Sequence, residues 1–190
     1  MVIAETNRLI LRPFTPDDVD ALEDVFGDPE VMRFGPGPQM RGWIAGWIRQ
    51  RIENGETEKV PGPWAVVEKG TLALVGYCGV FYFAELAGSA EVEIGYRLAR
   101  RAWGKGYATE AALVVRDDAF ERLALRRLVA LIDPANIRSL RVALKLGMHF
   151  EREVLLEGYD HPDHLYVLER PAWEKLRTIR GHGEADPHSG

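Results

Sequence analysis

The 190-residue sequence lacks most features of secreted, membrane and fibrous proteins. It has one cysteine, which excludes a disulfide framework or a cysteine-rich metal site and favours a reducing cytoplasm. Its longest run without a charged residue, 70–84, has 15 residues and is too short for a membrane-spanning helix. No basic segment followed by an apolar core comes after Met1, so we expect no signal peptide.

An excess of positive charge is also absent. The 24 basic and 29 acidic side chains give a net charge of −5, whereas a general nucleic-acid binder needs a basic surface for its phosphate contacts. We therefore expect neither nucleic acid nor a membrane as a partner. The length and the 46% hydrophobic content predict one globular domain over residues 1–180. The last stretch, 181–190, lacks large apolar residues and predicts a disordered tail.

Hydrophobic residues alternate between the period of strands and the period of helices. This pattern predicts the order β-α-α-β-β-β-α-β-α-β-β. A mixed sheet with helices on both faces would bury the apolar stripes, so the predicted fold class is α/β. The predicted strands cover 8–13, 63–68, 72–83, 90–98, 127–132, 149–157 and 164–170. One predicted helix begins at Thr15-Pro16, and three more cover 40–53, 105–122 and 136–146.

The segment after the strand 90–98 predicts an anion site. Arg-Ala-Trp-Gly-Lys-Gly (101–106) leads directly into a helix, whose first backbone amides are free, and glycines let a phosphate approach the backbone. Four basic residues and no acid lie within residues 97–105. The alternative interpretation is a glycine turn with a solvated basic rim.

Two common phosphate motifs do not match this turn. The P-loop pattern Gly-x-x-x-x-Gly-Lys-Ser/Thr is absent from the sequence. A dinucleotide fingerprint would need glycine or alanine where Thr109 stands, and an acid about 20 residues further on. The nearest acid at a strand end, Asp133, comes 29 positions after Gly104.

Four segments together resemble the GCN5-related N-acetyltransferase (GNAT) superfamily, and within it the RimJ/RimL-like branch that acetylates protein N-termini. The resemblance covers about residues 5–170 and implies a central, mostly antiparallel sheet with two splayed parallel strands and helices on both faces. The matching segments are ETNRLILRP (5–13), EIGY (93–96), WGKGYATEA (103–111) and NIRS (136–139) with KLG (145–147).

The resemblance implies acetyl-CoA as the acetyl donor and no metal. In the family the turn holds the pyrophosphate, and backbone groups at a bulge in the central strand bind the pantetheine arm and the thioester. The cofactor-binding residues implied are Ile94, Gly95 and Tyr96 in the strand, Arg101, Trp103, Gly104, Lys105, Gly106 and Tyr107 at the turn, and Asn136 and Ser139 at the second helix.

Acyl transfer to an amine needs a base and a donor for the leaving sulfur. We assign the base to Glu93, with Glu91 behind it, because both lie on the polar side of the strand that should border the thioester. Their alternative role is that of solvated or salt-bridged strand acids. Ser139 resembles a serine proposed to protonate the thiolate; its alternative role is to position the cofactor. Other branches have a tyrosine at the position of Ala143.

Three further groups could carry chemistry but are more simply explained by structure. Cys78 reads as a buried strand thiol, which disfavours a covalent acetyl-cysteine route. The segment His161-Pro162-Asp163-His164 resembles metal ligands but is typical of a polar turn between strands. Trp43 and Trp47 lie four residues apart on one helix face, where they either pack or line part of an acceptor pocket.

These observations predict an N-acetyltransferase that moves an acetyl group from acetyl-CoA to a primary amine by direct attack in a ternary complex. The expected acceptor is a protein N-terminal α-amine. One alternative is a small amine such as an antibiotic, a polyamine or an amino acid. Another is a non-catalytic acyl-CoA-binding sensor. Homodimers are common in such families, so a homodimer is a further expectation.

Overall fold

The computed structural model describes residues 2–54, 60–86, 88–158 and 160–183. Within these residues, eight strands form one sheet and five α-helices flank it. The strands are β1 (Ala4–Glu5), β2 (Leu9–Arg12), β3 (Trp64–Glu68), β4 (Leu74–Leu86), β5 (Ser89–Leu98), β6 (Arg127–Ile132), β7 (His149–Val154) and β8 (Asp163–Glu169). The helices are α1 (Val19–Phe26), α2 (Arg41–Asn54), α3 (Tyr107–Arg122), α4 (Ile137–Lys145) and α5 (Arg170–Gly183).

The sheet has the order β1-β2-β3-β4-β5-β6-β8-β7, and only the central pair β5–β6 is parallel among the described strands. That pair is joined at one register position, Glu93 opposite Val129. A continuous ladder would pair more residues, so this single pairing shows that the two strands separate beyond it. The splayed pair that the resemblance implies is therefore confirmed, as is the mixed fold with helices on both faces.

Each face of the sheet has its own core. The strand residues Val92, Ile94 and Leu128 pack with α3, α4 and α5 in the larger cluster. Tyr77 and Phe81 pack on the other face with α1 and α2. In β5 this separation follows from the period of two, which sends successive side chains to opposite faces.

The bulge expected in β5 is not present in its pairing with β4. Those strands stay in register from Phe83 opposite Glu91 to Gly76 opposite Leu98. A bulge would insert an extra residue and shift that register, so the opening beside β5 arises from divergence of β6 instead. As a consequence, successive side chains of β5 alternate between the two faces of the sheet without interruption from Glu91 to Leu98.

No helix is predicted from the sequence after the last strand, whereas the structure has α5 there. Pro171 stands in its first turn, where the missing amide hydrogen costs nothing. Trp173 anchors the helix by stacking on Phe120, with ring centroids 5.0 Å apart. Of the predicted tail 181–190, residues 184–190 lie outside the described residues. None of the described helices is long and apolar enough to span a membrane.

Candidate active site

The carboxylate of Glu93 lies at the point where β5 and β6 part. Its Oε1 accepts a hydrogen bond from the backbone amide of Leu131 at 3.1 Å. Leu131 is two residues beyond Val129, the last partner of β5, so this side chain satisfies an amide that the diverging ladder leaves open. Glu93 faces Phe81 across the β4–β5 pair, on the same side of the sheet as α1 and α2.

Burial of this carboxyl group raises the pKa of Glu93 to about 7. The amide of Leu131 and the positive charge of Arg97 oppose the shift, and the negative charge of Asp163 adds to it. A carboxyl group with this pKa is partly ionised at neutral pH and can accept a proton there. Glu93 is therefore suited to general base chemistry.

Glu91 has a different environment from Glu93. Its Oε1 accepts from the hydroxyl of Ser89 at 2.9 Å, and its Oε2 lies 3.2 Å from Nε of Arg127. Arg127 also pairs with Glu151 at 3.2 Å. Glu91 thus links β5 to β6 as a salt-bridged strand acid, which is the alternative role that the sequence left open.

Tyr96 and Ser139 meet on the opposite face of the sheet. The hydroxyl of Tyr96 donates to Oγ of Ser139 at 3.3 Å. Asn136 caps α4, since its Oδ1 accepts from the backbone amide of Ser139 at 3.2 Å. Burial raises the pKa of Tyr96 to about 12, so its hydroxyl stays protonated. The sequence analysis assigned Tyr96 only through its backbone and missed its side chain.

The glycine turn has the geometry of an anion site. Gly104 and Gly106 have φ values of 75° and 83°, a region in which glycine carries no steric penalty. At the start of α3, the first backbone amide that donates a hydrogen bond to a backbone carbonyl is that of Glu110, which donates to Gly106 at 3.1 Å. Earlier amides of α3 have no intrahelical partner. A side chain at Gly104 would meet no atom within 4 Å, so the space above it is open.

The basic side chains around this turn are largely paired with acids. Arg101 pairs with Asp24 and donates to the carbonyl of Leu74 at 2.7 Å. Arg100 pairs with Asp28 at 2.6 Å. Because these acids belong to α1 and the loop after it, they neutralise charge that the sequence analysis assigned to phosphate. An anion at the turn would therefore depend mainly on backbone amides.

Three more side chains complete the turn. Nζ of Lys105 is 3.4 Å from Oε1 of Glu68, and the hydroxyl of Tyr107 donates to the same oxygen at 2.5 Å. Trp103 donates from Nε1 to the carbonyl of Leu98 at 2.7 Å and so fixes the end of β5 against the turn. The guanidinium of Arg138, which the sequence analysis did not single out, lies 4.3 Å from the centre of the Trp103 ring. Arg138 belongs to the NIRS segment (136–139) that resembles the family, and this membership could have identified it as a candidate site residue.

A cluster of possible metal ligands lies beyond the end of β6. Oδ2 of Asp133 is 3.1 Å from Nε2 of His161, and Oδ1 of Asp160 is 2.8 Å from Nδ1 of the same ring. Asp133, His161 and Asp163 bring one imidazole and two carboxylates within 4.8 Å, a donor set that a divalent cation could use. Asp160 and Asp133 raise the pKa of His161 by hydrogen bonding. The polar turn predicted at 161–164 is shorter in the structure, since β8 already begins at Asp163, and the approach of His161 to Asp133 is not predicted from the sequence.

The remaining candidates have structural surroundings. Cys78 is fully buried, and burial raises the pKa of its thiol, as expected for an unreactive strand residue. Trp47 packs against Phe26 and Phe14, with ring centroids 5.0 and 5.2 Å apart. Trp43 keeps 44% of its surface exposed, so only this tryptophan of the pair is open to a partner.

Comparison with known proteins gives consistent results. The family model described as acetyltransferase (GNAT) domain matches residues 8–149. The chain is 37% identical to the uncharacterized protein YkkB of Bacillus subtilis (strain 168) over 152 residues, 78% of this chain and 86% of YkkB. It is 34% identical to the uncharacterized N-acetyltransferase p20 of Bacillus licheniformis over 161 residues, 82% of this chain and 85% of p20. An acetyltransferase structure from Agrobacterium tumefaciens str. C58 has a TM-score of 0.74 at 28% identity and covers 88% of this chain and 94% of its own.

Proposed function

The chain belongs to the GNAT family and is an acetyl-CoA-dependent N-acetyltransferase, and from this premise we propose that it acetylates protein N-terminal α-amines by direct attack in a ternary complex. One observation supports this proposal above the others. The Glu93 carboxylate lies beside the gap between β5 and β6, and burial raises its pKa to about 7. A base of this strength suits a weakly basic acceptor.

The size of the pKa difference favours an α-amine over a lysine side chain. An α-amine has a pKa of about 7.8 and a lysine of about 10.4. Moving a proton to a base of pKa about 7 then costs about 1 kcal/mol from the α-ammonium and about 4–5 kcal/mol from the lysine. The second figure corresponds to a rate penalty of several hundredfold relative to the first.

The residues present fit acetyl-CoA as the acetyl donor. The open space above Gly104 and the free amides at the start of α3 suit its pyrophosphate, and the parted strand β5 offers backbone groups of Ile94 and Gly95 to its amide-containing arm. Asn136 and Ser139 border the same face from α4. When bound there, acetyl-CoA supplies an activated acyl carbon.

In the reaction we assign each chain residue one task. Glu93 takes one proton from the acceptor ammonium, and the resulting neutral amine attacks the thioester carbon. The nitrogen releases its second proton to solvent as the carbon–sulfur bond breaks. A backbone amide of β5 near Gly95 donates to the carbonyl oxygen as it gains charge. Ser139 donates from its hydroxyl to the sulfur as the carbon–sulfur bond breaks.

Replacing Glu93 by glutamine tests the base. Glu93→Gln should lower kcat with an α-amine peptide about 100-fold, the lower end of the range for general base catalysis, and should remove the acidic limb of the pH–rate profile. Glu91→Gln is the matched control, since it removes a carboxylate from the same strand and should leave the limb in place. An unchanged limb in Glu93→Gln would reject Glu93 as the base.

A panel of acceptors tests the substrate class. Thiol release from acetyl-CoA is followed with α-amine peptides, with peptides that offer only a lysine amine, and with small amines. We expect the highest kcat/KM with the α-amine peptides. Faster turnover with an antibiotic, a polyamine or an amino acid would overturn the acceptor assignment and leave the family's chemistry intact.

A further inference from the structure

Tyr96 and Ser139 form a hydroxyl pair that connects the central strand to the second helix of the cofactor side. They are 43 positions apart in sequence, and their oxygens are 3.3 Å apart. The backbone of Ser139 is held separately by the capping bond from its amide to Asn136. Ser139 therefore has its main chain fixed by the helix cap and its side chain fixed by β5.

The direction of the hydroxyl contact determines what Ser139 can do. A serine hydroxyl has one hydrogen and two acceptor lone pairs. When Tyr96 donates to Ser139, the lone pair of Ser139 is used and its own hydrogen remains available. The phenol is the stronger acid of the two hydroxyls, so it is the preferred donor in such a pair.

We propose that Tyr96 is a positioning residue for Ser139: it holds the serine oxygen so that the serine hydrogen is directed to the sulfur of the departing thiol. The inference rests on the proposed function, in which Ser139 faces the thioester. Tyr96 follows Gly95 in β5, in the part of this strand that is not paired with β6. Tyr96 and the expected thioester site therefore share one stretch of backbone.

The proton balance favours hydrogen bonding over proton transfer by this pair. An ordinary alkyl thiol has a pKa of about 8.5, whereas burial raises that of Tyr96 to about 12. The thiolate is therefore the weaker base, and Tyr96 keeps its proton. The carbon–sulfur bond breaks with both electrons on sulfur, the thiolate leaves while it accepts from Ser139, and it then takes a proton from solvent. One proton of the acceptor ammonium goes to Glu93 and the other to solvent.

Three variants and a control test this role through steady-state kinetics with acetyl-CoA and CoA binding by calorimetry. Tyr96→Phe keeps the ring and removes the hydroxyl, and it should lower kcat about fivefold to tenfold, as for one lost hydrogen bond, with KM and CoA affinity changed less than about twofold. Tyr96→Phe in a Ser139→Ala background should cause no further loss, because the two residues act as one unit. Tyr166→Phe, on β8, removes a hydroxyl elsewhere and should keep the activity of the original chain.

The outcomes separate this inference from the proposed function. A loss from Tyr96→Phe that multiplies with that of Ser139→Ala would show that Tyr96 does not act through Ser139. An equal loss of CoA affinity would assign Tyr96 to cofactor binding. Full activity of Tyr96→Phe beside a defective Ser139→Ala overturns the positioning role alone. Full activity of Ser139→Ala overturns the role of Ser139 in the proposed function.

Discussion

Replacing Glu93 by glutamine also tests the burial of its carboxyl group independently of catalysis. Glutamine keeps the size of the side chain and an oxygen that can accept from the amide of Leu131 at the same place. It removes the titrating proton. Any difference in the pH dependence of stability between the two proteins therefore reports the pKa of Glu93 in the folded chain.

The direction in which pH changes the stability follows from the raised pKa of Glu93. Burial raises the pKa of Glu93 from 4.5 to about 7, so the folded state holds this proton at pH values where the unfolded chain has lost it. Stability is then lost as the pH rises from about 4.5 to 7 and stays constant above that range. A shift of this size corresponds to roughly 2–3 kcal/mol of unfolding free energy lost between pH 5 and pH 8.

Urea unfolding at these two pH values, followed by tryptophan fluorescence, measures the effect. Titrations shared by both proteins cancel in the comparison, so the unfolding free energy of Glu93→Gln should rise by roughly 2–3 kcal/mol relative to that of the original chain on going from pH 5 to pH 8. The same comparison with Glu91→Gln, which breaks the ion pair with Arg127 on the same strand, separates this effect from a general effect of removing a strand carboxylate. A constant difference between the Glu93→Gln variant and the original chain at the two pH values would refute the buried, protonated carboxyl group.

Three further predictions concern the glycine turn, the thiol and the core. Gly104→Glu meets open space but is strained at a φ of 75°, so Gly104→Ala is its control; Gly104→Glu should abolish CoA binding measured by calorimetry, Gly104→Ala should weaken it much less, and unchanged affinity in Gly104→Glu would contradict the anion site at the turn. Cys78 should react with a thiol reagent only on unfolding in urea, and rapid native labelling would contradict its burial. Gly79→Ala puts a Cβ 2.2 Å from the Cα of Pro63 and should lower Tm by about 5–10 °C, whereas Gly42→Ala, with open space around it, should not lower Tm.

The parts of the site that could be predicted from sequence depend on local physics. Alternation in the strand 90–98 placed Glu93 and Tyr96 on opposite sides, and the structure has them so because the β4–β5 register is unbroken. The turn at Gly104 and Gly106 was predicted from residue types that tolerate positive φ next to a helix start. Neither inference needs information from another part of the chain.

The parts that could not be predicted depend on contacts between distant segments. Arg101 looked free for phosphate because the acid that pairs with it, Asp24, lies 77 positions away on α1. The same holds for His161 and Asp133, which are 28 positions apart. The helix α5 did carry a local signal that was missed, since Pro171 suits a helix start and Trp173 and Leu176, three residues apart, form an apolar face.

The separation of β5 from β6 explains how the base and the sulfur donor that we propose can serve one reaction although the sheet lies between them. Glu93 is on the side of α1 and α2, and the Tyr96–Ser139 pair is on the side of α3 and α4. A continuous ladder would seal these faces from each other with backbone hydrogen bonds. Because the ladder has one pairing and then opens, an acyl group in the gap can meet an amine from one side and leave its sulfur on the other. Glu93 stands at that single pairing, so the residue that ends the ladder is also the one that we propose takes a proton from the acceptor.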